Sequence, residues 1–320
     1  MNKITEISVG VDVSKNTLDV CFHQTKSFFK IENSHKGINL LLKKLANFKV
    51  DKIVFEASGG YEQRLLLALE EAEHNYWRVN PIRVKGFIAS EGTLAKTDKS
   101  DAKMLALFAY KKDKKNENVK VKEEERRLQC FFRRRRGLKR MIVTEKQRLD
   151  KPMEKYCKTM IMRTIKFFEK QIKSLDKEIS KLISDNKNIQ RKIEIIESVP
   201  GLGKESSSAL VIEMPELGKI RNKQAAALLG VAPCTKESGT YRGRAIIKAG
   251  RRVPRKVIYM AALTASRFNP DFAKFYKRLR KNGKPGKVAL VAVMRKLVEL
   301  VNTLLKENRL WENRVLERYV

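Results

Sequence analysis

Three short strand-like runs in succession, followed by helix and strand in alternation, constrain this chain more than any other feature. The runs are residues 4–13, 17–23 and 26–32. Their joins, Ser14-Lys15-Asn16 and Gln24-Thr25, are short and polar, which favours hairpins. A helical stripe follows over 35–48, with Ile38, Leu41, Leu42, Leu45 and Phe48 on one side. Then come a strand over 52–56 and a helix over 60–73, whose apolar face is Leu65, Leu66, Leu69 and Ala72. A strand over Tyr76-Trp77-Arg78-Val79 stops at Asn80-Pro81, a short helix covers 82–90, and another begins near Lys99. The order βββαβαβα feeds a hairpin meander and βα crossovers onto one sheet.

Four carboxylates fall at telling points of this pattern. Asp12 closes the first strand and Glu56 closes the strand over 52–56. Asp98 and Asp101 stand three apart at the start of the last helix, so they share a helix face. An RNase H-like nuclease places its metal ligands at these points. Magnesium takes oxygen ligands and leaves room for water and phosphate, and a pair of such ions can assist phosphodiester chemistry. Each acid has a plainer role open to it. Asp98 suits a helix N-cap, and Asp101 suits the positive end of the helix dipole.

Charge indicates the partner. The chain has 320 residues, with 70 Lys+Arg against 36 Asp+Glu, a formal net charge of +34. Such an excess attracts polyanions through counterion release, without base readout. Nucleic acid is the expected partner. No apolar run approaches the ~20 residues that span a bilayer, and the N-terminus reads as a strand rather than a signal peptide. Cys21, Cys130, Cys157 and Cys234 are widely spaced, which argues against zinc and fits a reducing cytoplasm. His23, His35 and His74 form no ligand spacing.

From about residue 111 the character changes. Tyr110–Asn116 is a charged linker, and 122–149 reads as a long basic helix carrying Arg133-Arg134-Arg135-Arg136. Four consecutive arginines point all around a helix, so they cannot all meet one partner, but in so basic a chain Arg133, Arg134, Arg135 and Arg136 are expected to contact nucleic acid. Pro152 interrupts. A second long helix over 160–184 has Ile161, Ile165, Phe168, Ile172, Leu175, Ile179 and Leu182 at spacings of four and three, a heptad seam. That seam suits either an intramolecular hairpin or pairing between copies. The final third opens with Val199-Pro200-Gly201-Leu202-Gly203-Lys204, similar to the hairpin of a helix-hairpin-helix element. Its glycines let backbone N–H groups approach a phosphate. A glycine- and arginine-rich loop over 233–244 holds Ser238, with Arg242, Arg244 and Lys248 as candidate phosphate clamps. By spacing alone Ser238 is an ordinary loop serine.

Several segments together resemble the DEDD insertion-sequence transposases. These are Val9–Lys15, Phe55–Tyr61, Lys96–Ala102, Val199–Gly203, Leu229–Pro233, Glu237–Gly239 and Lys248–Gly250. Ser58 stands where threonine is common, and Pro254 lies where a helix is expected to begin. The resemblance implies a RuvC-like (RNase H-like) α/β domain over 1–112, a helical coiled-coil connector over 113–190 and a mostly helical C-terminal transposase domain over 191–320. It implies that Asp12, Glu56, Asp98 and Asp101 bind Mg2+ and that Ser238 is the nucleophile of a phosphoserine intermediate. It further implies donor and target DNA and a structured bridge RNA as partners, and a homodimer that assembles into a tetramer. The expected setting is the bacterial or archaeal cytoplasm, at the nucleoid, with no membrane. Two competing expectations remain: a magnesium-dependent structure-specific endonuclease of the Holliday-junction resolvase type, and a non-catalytic nucleic-acid-binding protein.

Overall fold

The computed structural model describes residues 6–92, 98–112, 122–235, 237–238, 241–243 and 245–312. The chain divides into two compact units, Met1–Asn118 and Val119–Val320.

The first unit is built on one mixed sheet. Its strands are β1 (Glu6–Val13), β2 (Thr17–Phe22), β3 (Phe28–Glu32), β4 (Lys49–Glu56) and β5 (Tyr76–Val79). They lie in the order β3-β2-β1-β4-β5. β1–β2 and β2–β3 are antiparallel, while β1–β4 and β4–β5 are parallel. This is the meander followed by crossovers that the element order predicts. Helices α1 (His35–Leu45) and α2 (Gln63–Glu71) cover one face, where Ile7, Val9, Val11, Phe55, Leu41 and Leu65 form a core. Helices α3 (Pro81–Ser90) and α4 (Asp98–Lys111) cover the other, through Val54, Trp77, Phe87, Leu105 and Phe108.

Several boundaries differ from the sequence pattern by a few residues. β4 starts at Lys49 rather than 52, because Glu6 and Ile7 of β1 pair with Lys49 and Val50. For the same reason α1 stops at Leu45 rather than 48. α2 starts at Gln63 rather than 60, because Gly59 and Gly60 take φ of 75° and 117°, which a helix excludes. The buried Glu62 carboxylate fixes that bend by accepting from the Ser58 and Gly60 N–H groups and the Ser58 hydroxyl. Those bonds hold its pKa below the usual carboxylate value although burial pushes it up.

The second unit is mostly helical. α5 (Glu123–Leu149) and α6 (Lys155–Ser184) run antiparallel on either side of the break at Pro152, with Arg135 Nε bonded to Asp176 at 2.5 Å and Asn186 bonded to Glu124 at 2.7 Å. Of the seam residues, Ile165 and Ile179 are buried and the other five are half-buried. α7 (Lys187–Glu197), α8 (Lys204–Glu213), α9 (Asn222–Leu229), α10 (Arg252–Phe268), α11 (Pro270–Lys281) and α12 (Gly286–Glu307) complete the helices. They share a core of Ile196, Leu210, Leu229, Ile258, Phe272, Leu297 and Val301, to which Leu128 of α5 also belongs. Pro254 is the third residue of α10, within the first turn, where its missing N–H costs no helical hydrogen bond. Among the described residues no helix is long and apolar enough to cross a membrane.

Residues 233–247, expected as a loop, carry short paired strands instead. β6 (Pro233–Cys234) pairs with β9 (Ile246–Ile247), and nested inside it β7 (Glu237–Ser238) pairs with β8 (Tyr241–Arg242).

One contact locks α4 to the sheet. A Cβ on Gly10 would lie 2.1 Å from Ala106 N and 2.4 Å from Ala102 O, so the helix backbone rests directly on β1. Gly10→Ala is expected to destabilise the first unit by about 3 kcal/mol, since backbone rather than a flexible side chain must move. Chemical denaturation followed by circular dichroism measures this, and an unchanged midpoint would refute the packing.

Candidate functional site

The sheet register places the carboxylates. Val11 pairs with Phe55, so Asp12 and Glu56 follow at the same level on adjacent parallel strands. Residues alternate faces along a strand. Asp12 therefore shares the face of Gly10, and Glu56 that of Val54, and both of those residues meet α4. The direction of α4 follows from its contacts. Near its C-terminus, Tyr110 stacks on His23 at 4.6 Å and the Lys112 carbonyl accepts from Lys52 Nζ at 3.0 Å. His23 and Lys52 both flank Ser8, toward the start of β1. Ala102 and Ala106 cover Gly10 in the middle. The N-terminal end of α4, with Asp98 as its first residue and Asp101 in its first turn, therefore lies toward the end of β1 that carries Asp12. Free N–H groups and the helix dipole make that end attractive to anions.

A carboxylate that the sequence pattern did not single out joins this row. Asp19 on β2 is directly opposite Asp12, is 3% exposed, and pairs with Lys30 of β3 at 3.4 Å. The row across the α4 face reads Lys30, Asp19, Asp12, Glu56. The alternation of Asp19 with Val20 and Cys21 carried a signal, but a single acid in a strand reads as its solvent side. Among the described residues, no three His, Cys, Asp or Glu side chains are gathered tightly enough to hold a metal ion unaided. The donor set itself fits a hard divalent cation: each candidate ligand offers carboxylate oxygens, and water or phosphate would complete the shell. Asp12, Glu56, Asp98 and Asp101 are the residues that would hold it.

In the second unit Ser238 closes β7, opposite Tyr241, with only Gly239 and Thr240 between them in sequence. Arg242 pairs with Glu237. Arg244 lies outside the described residues, and Lys248 is exposed just beyond β9. The base of this hairpin is a close backbone crossing. Gly230 caps α9 with φ 77°, Gly250 has φ 79°, and a Cβ on Gly250 would lie 2.3 Å from Gly230 N. Arg251 then anchors the outgoing strand by donating to Glu216 through both guanidinium nitrogens and to the Glu213 carbonyl.

The Ser198–Gly203 bend links α7 to α8 beside a cavity of about 430 Å3 lined in part by Glu197, Gly203, Ser206, Met260 and Thr264. Gly201 has φ 107° and a Cβ there would meet Ala265 Cβ at 2.8 Å, so packing against α10 already demands glycine. Gly203 caps α8 in open space and Lys204 is exposed, which leaves the N-terminus of α8 free to meet an anion.

The four arginines of α5 split into two pairs. Arg133 and Arg134 are exposed. Arg135 donates to Asp176 at 2.5 Å and Glu205 at 2.6 Å, and Arg136 donates to Glu213 at 2.6 Å. Arg135 and Lys139, which both donate to Glu205, hold its carboxyl down to about 2. A second basic surface escaped the sequence reading. Lys274, Lys277, Arg278 and Lys281 recur at helical spacing along α11, opposite the packed Phe272, Phe275 and Tyr276, and Lys284 and Lys287 extend the ridge. Among the described residues none of these six has an acidic partner within salt-bridge distance. The signal was the cation spacing over 270–281 with Asp271 as the lone acid.

These roles separate experimentally. Arg133→Ala/Arg134→Ala is expected to weaken nucleic-acid binding without changing the melting temperature. Arg135→Met is expected to cost about 1 kcal/mol, since its partners are solvent-screened, or about 2–4 °C. Glu205 has a depressed folded pKa, so its contribution is full above about 4.5 and fades as pH falls towards 2. The melting difference between wild type and Arg135→Met should shrink over that window. A constant difference would refute the assignment.

Two transposase family models match the chain. A DEDD transposase model of the IS110 type matches residues 9–158, and a transposase model of the IS116/IS110/IS902 family matches residues 193–277. The pilin gene-inverting proteins of Moraxella lacunata and Moraxella bovis are each 28% identical, over 97% of this chain and 98% of theirs. An uncharacterized 42 kDa protein of the insertion element IS900 from Mycobacterium paratuberculosis is 27% identical over 50% of this chain and 41% of its own. A DEDD domain carries an RNase H-like fold and suggests dependence on a divalent metal, and transposases bind DNA. The chain belongs to the IS110-type family of DEDD insertion-sequence transposases.

Proposed function

We propose that the protein is a DNA recombinase that exchanges strands between donor and target through a phosphoserine intermediate on Ser238, guided by a structured RNA. The observation that carries this reading is the placement of Asp12 and Glu56 at one level of adjacent strand ends, with the N-terminal end of α4 toward them. Mg2+ held by Asp12, Glu56, Asp98 and Asp101 would supply positive charge to a phosphate. The Ser238 Oγ attacks phosphorus, the Oγ–P bond forms, and the P–O bond to a deoxyribose oxygen breaks. The serine proton is given up and the departing oxygen takes one. In the second step a deoxyribose hydroxyl from another strand attacks the phosphoserine and releases the serine. One ester replaces another throughout, so resealing needs no nucleotide hydrolysis. Inversion, the act named for two relatives, is a rejoining reaction and supports this reading over hydrolysis.

Arg242, Arg244 and Lys248 surround Ser238 in sequence and supply the cations that a phosphate there requires. Arg133, Arg134, Gly201, Gly203, Lys204 and the α11 ridge extend the contact to backbone phosphates. If RNA pairing selects the target, these groups need read no base, which suits a surface rich in cations. The connector over 113–190 serves a homodimer that assembles to a tetramer. Support comes from the exposed Met141, Val143, Met160 and Phe167 on the α5–α6 pair.

The test is covalent trapping. The protein, RNA transcribed from its element's flanks, labelled donor and target DNA and Mg2+ are run on denaturing gels. A labelled protein–DNA adduct is expected, lost in Ser238→Ala and dependent on added Mg2+. Cleavage without an adduct, retained in Ser238→Ala, would instead establish a resolvase-type hydrolase. Binding with neither product would establish a non-catalytic nucleic-acid protein.

The ridge makes a separate, quantitative prediction. Each phosphate contact contributes about 0.9 to the salt dependence of log K on duplex DNA. Replacing Lys277, Arg278 and Lys281 together by alanine is expected to reduce that slope by about 2–3, equally for all sequences. An unchanged slope in a salt titration would remove α11 from the interface.

A further inference from the structure

Asp19 is a buried carboxylate that the chemistry above does not use. It sits in a strand whose other buried members, Leu18, Val20, Cys21 and Phe22, are apolar or nearly so. Its placement carries two costs. Burying a carboxylate removes hydration. Facing Asp12 directly across an antiparallel ladder sets like charges side by side. Lys30 offsets part of this, but it is half exposed and its Nζ stays 3.4 Å away. With the carboxylate buried and the ammonium half exposed, the attraction must first offset the desolvation of Asp19, and an apolar residue in such a place is often no less stable. The ion pair therefore does not account for the acid as a structural element.

The row accounts for it. Asp19 and Cys21 share a face of β2, and Cys21 packs against Ala102 and Ala106 of α4. Asp19 is thus on the same side of the sheet as Asp12 and Glu56, one strand further out. We propose that Asp19 is a fifth carboxylate of the metal-binding row: a positioning residue, tethered by Lys30, that accepts hydrogen bonds from the hydration shell of the cation held beside Asp12. The inference rests on the metal reading of Asp12 and Glu56 given above. Asp19 and Lys30 together are neutral, so they add an oriented acceptor without adding net charge to the site. Outer acceptors of this kind fix the first ligands and tune affinity by about 10–100-fold.

Metal binding by the full-length protein without nucleic acid tests this directly. Mn2+ is the probe, with free ion read by electron paramagnetic resonance. Asp19→Asn is nearly isosteric and is expected to weaken Mn2+ binding about 10–100-fold, with the metal-free melting temperature preserved or raised. Lys30→Gln leaves Asp19 unneutralised and is expected to tighten Mn2+ binding several-fold. Lys36→Gln, an exposed lysine on α1, is expected to leave it unchanged. The Lys30 arm keeps the test valid if Asp19→Asn fails to fold. Wild-type affinity in both Asp19→Asn and Lys30→Gln, with binding lost in Asp12→Asn, would overturn the role of Asp19 alone. Wild-type affinity in Asp12→Asn as well would overturn the metal reading on which it rests.

Discussion

The backbone contact between α4 and Gly10 is the constraint on which the first unit depends. A helix usually stands off a sheet by the length of its side chains. Here a glycine on β1 and alanines on α4 remove that distance, and the helix backbone meets the strand. The close approach fixes where the first turn of α4 lies along β1. With Tyr110 and Lys112 tied to the other end of the strand, the first turn has no freedom to slide away from Asp12. The strand ends and the start of the helix, on which the acids stand, are thus set by contacts further along β1 and α4. Repulsion between like charges opposes such an assembly, and an apolar contact elsewhere on the same elements offsets it.

The second unit solves a different electrostatic problem. Its surface is strongly basic, yet its helices must pack. Arg135, Arg136 and Arg251 are drawn inward onto Asp176, Glu205, Glu213 and Glu216, so the few acids join helices to one another. The cations left over, on Arg133, Arg134 and the α11 ridge, face solvent. The acids are spent where they hold the fold, and positive potential accumulates where they are missing. The hairpin carrying Ser238 stands on a crossing of two glycines, which gives it a firm base although its strands are only two residues long.

Element order, approximate helix positions and the Asp12–Glu56 relation were legible in sequence because period-two and period-3.6 patterns are strong in the first unit. The nested strands at 233–247 were not. Each strand is only two residues long, so alternation has no length over which to appear. The partition of the arginine run was equally hidden, since Arg133 and Arg135 are identical until Asp176 and Glu205 arrive from distant sequence. Asp19 was missed because a lone acid in a strand defaults to the solvent face, and only the register puts it opposite Asp12. Where pairing across sequence decides the environment, local pattern carries no information.

The acidic row also bears on how the protein meets nucleic acid. The chain attracts phosphate, with a formal charge of +34, yet Asp19, Asp12 and Glu56 set three carboxylates on one face of the sheet. Non-specific binding, driven by the exposed lysines and arginines, therefore does not by itself bring DNA into a reactive position. Collecting the polyanion and forming the row are tasks of different groups: exposed lysines and arginines do the first, and carboxylates on adjacent strands do the second.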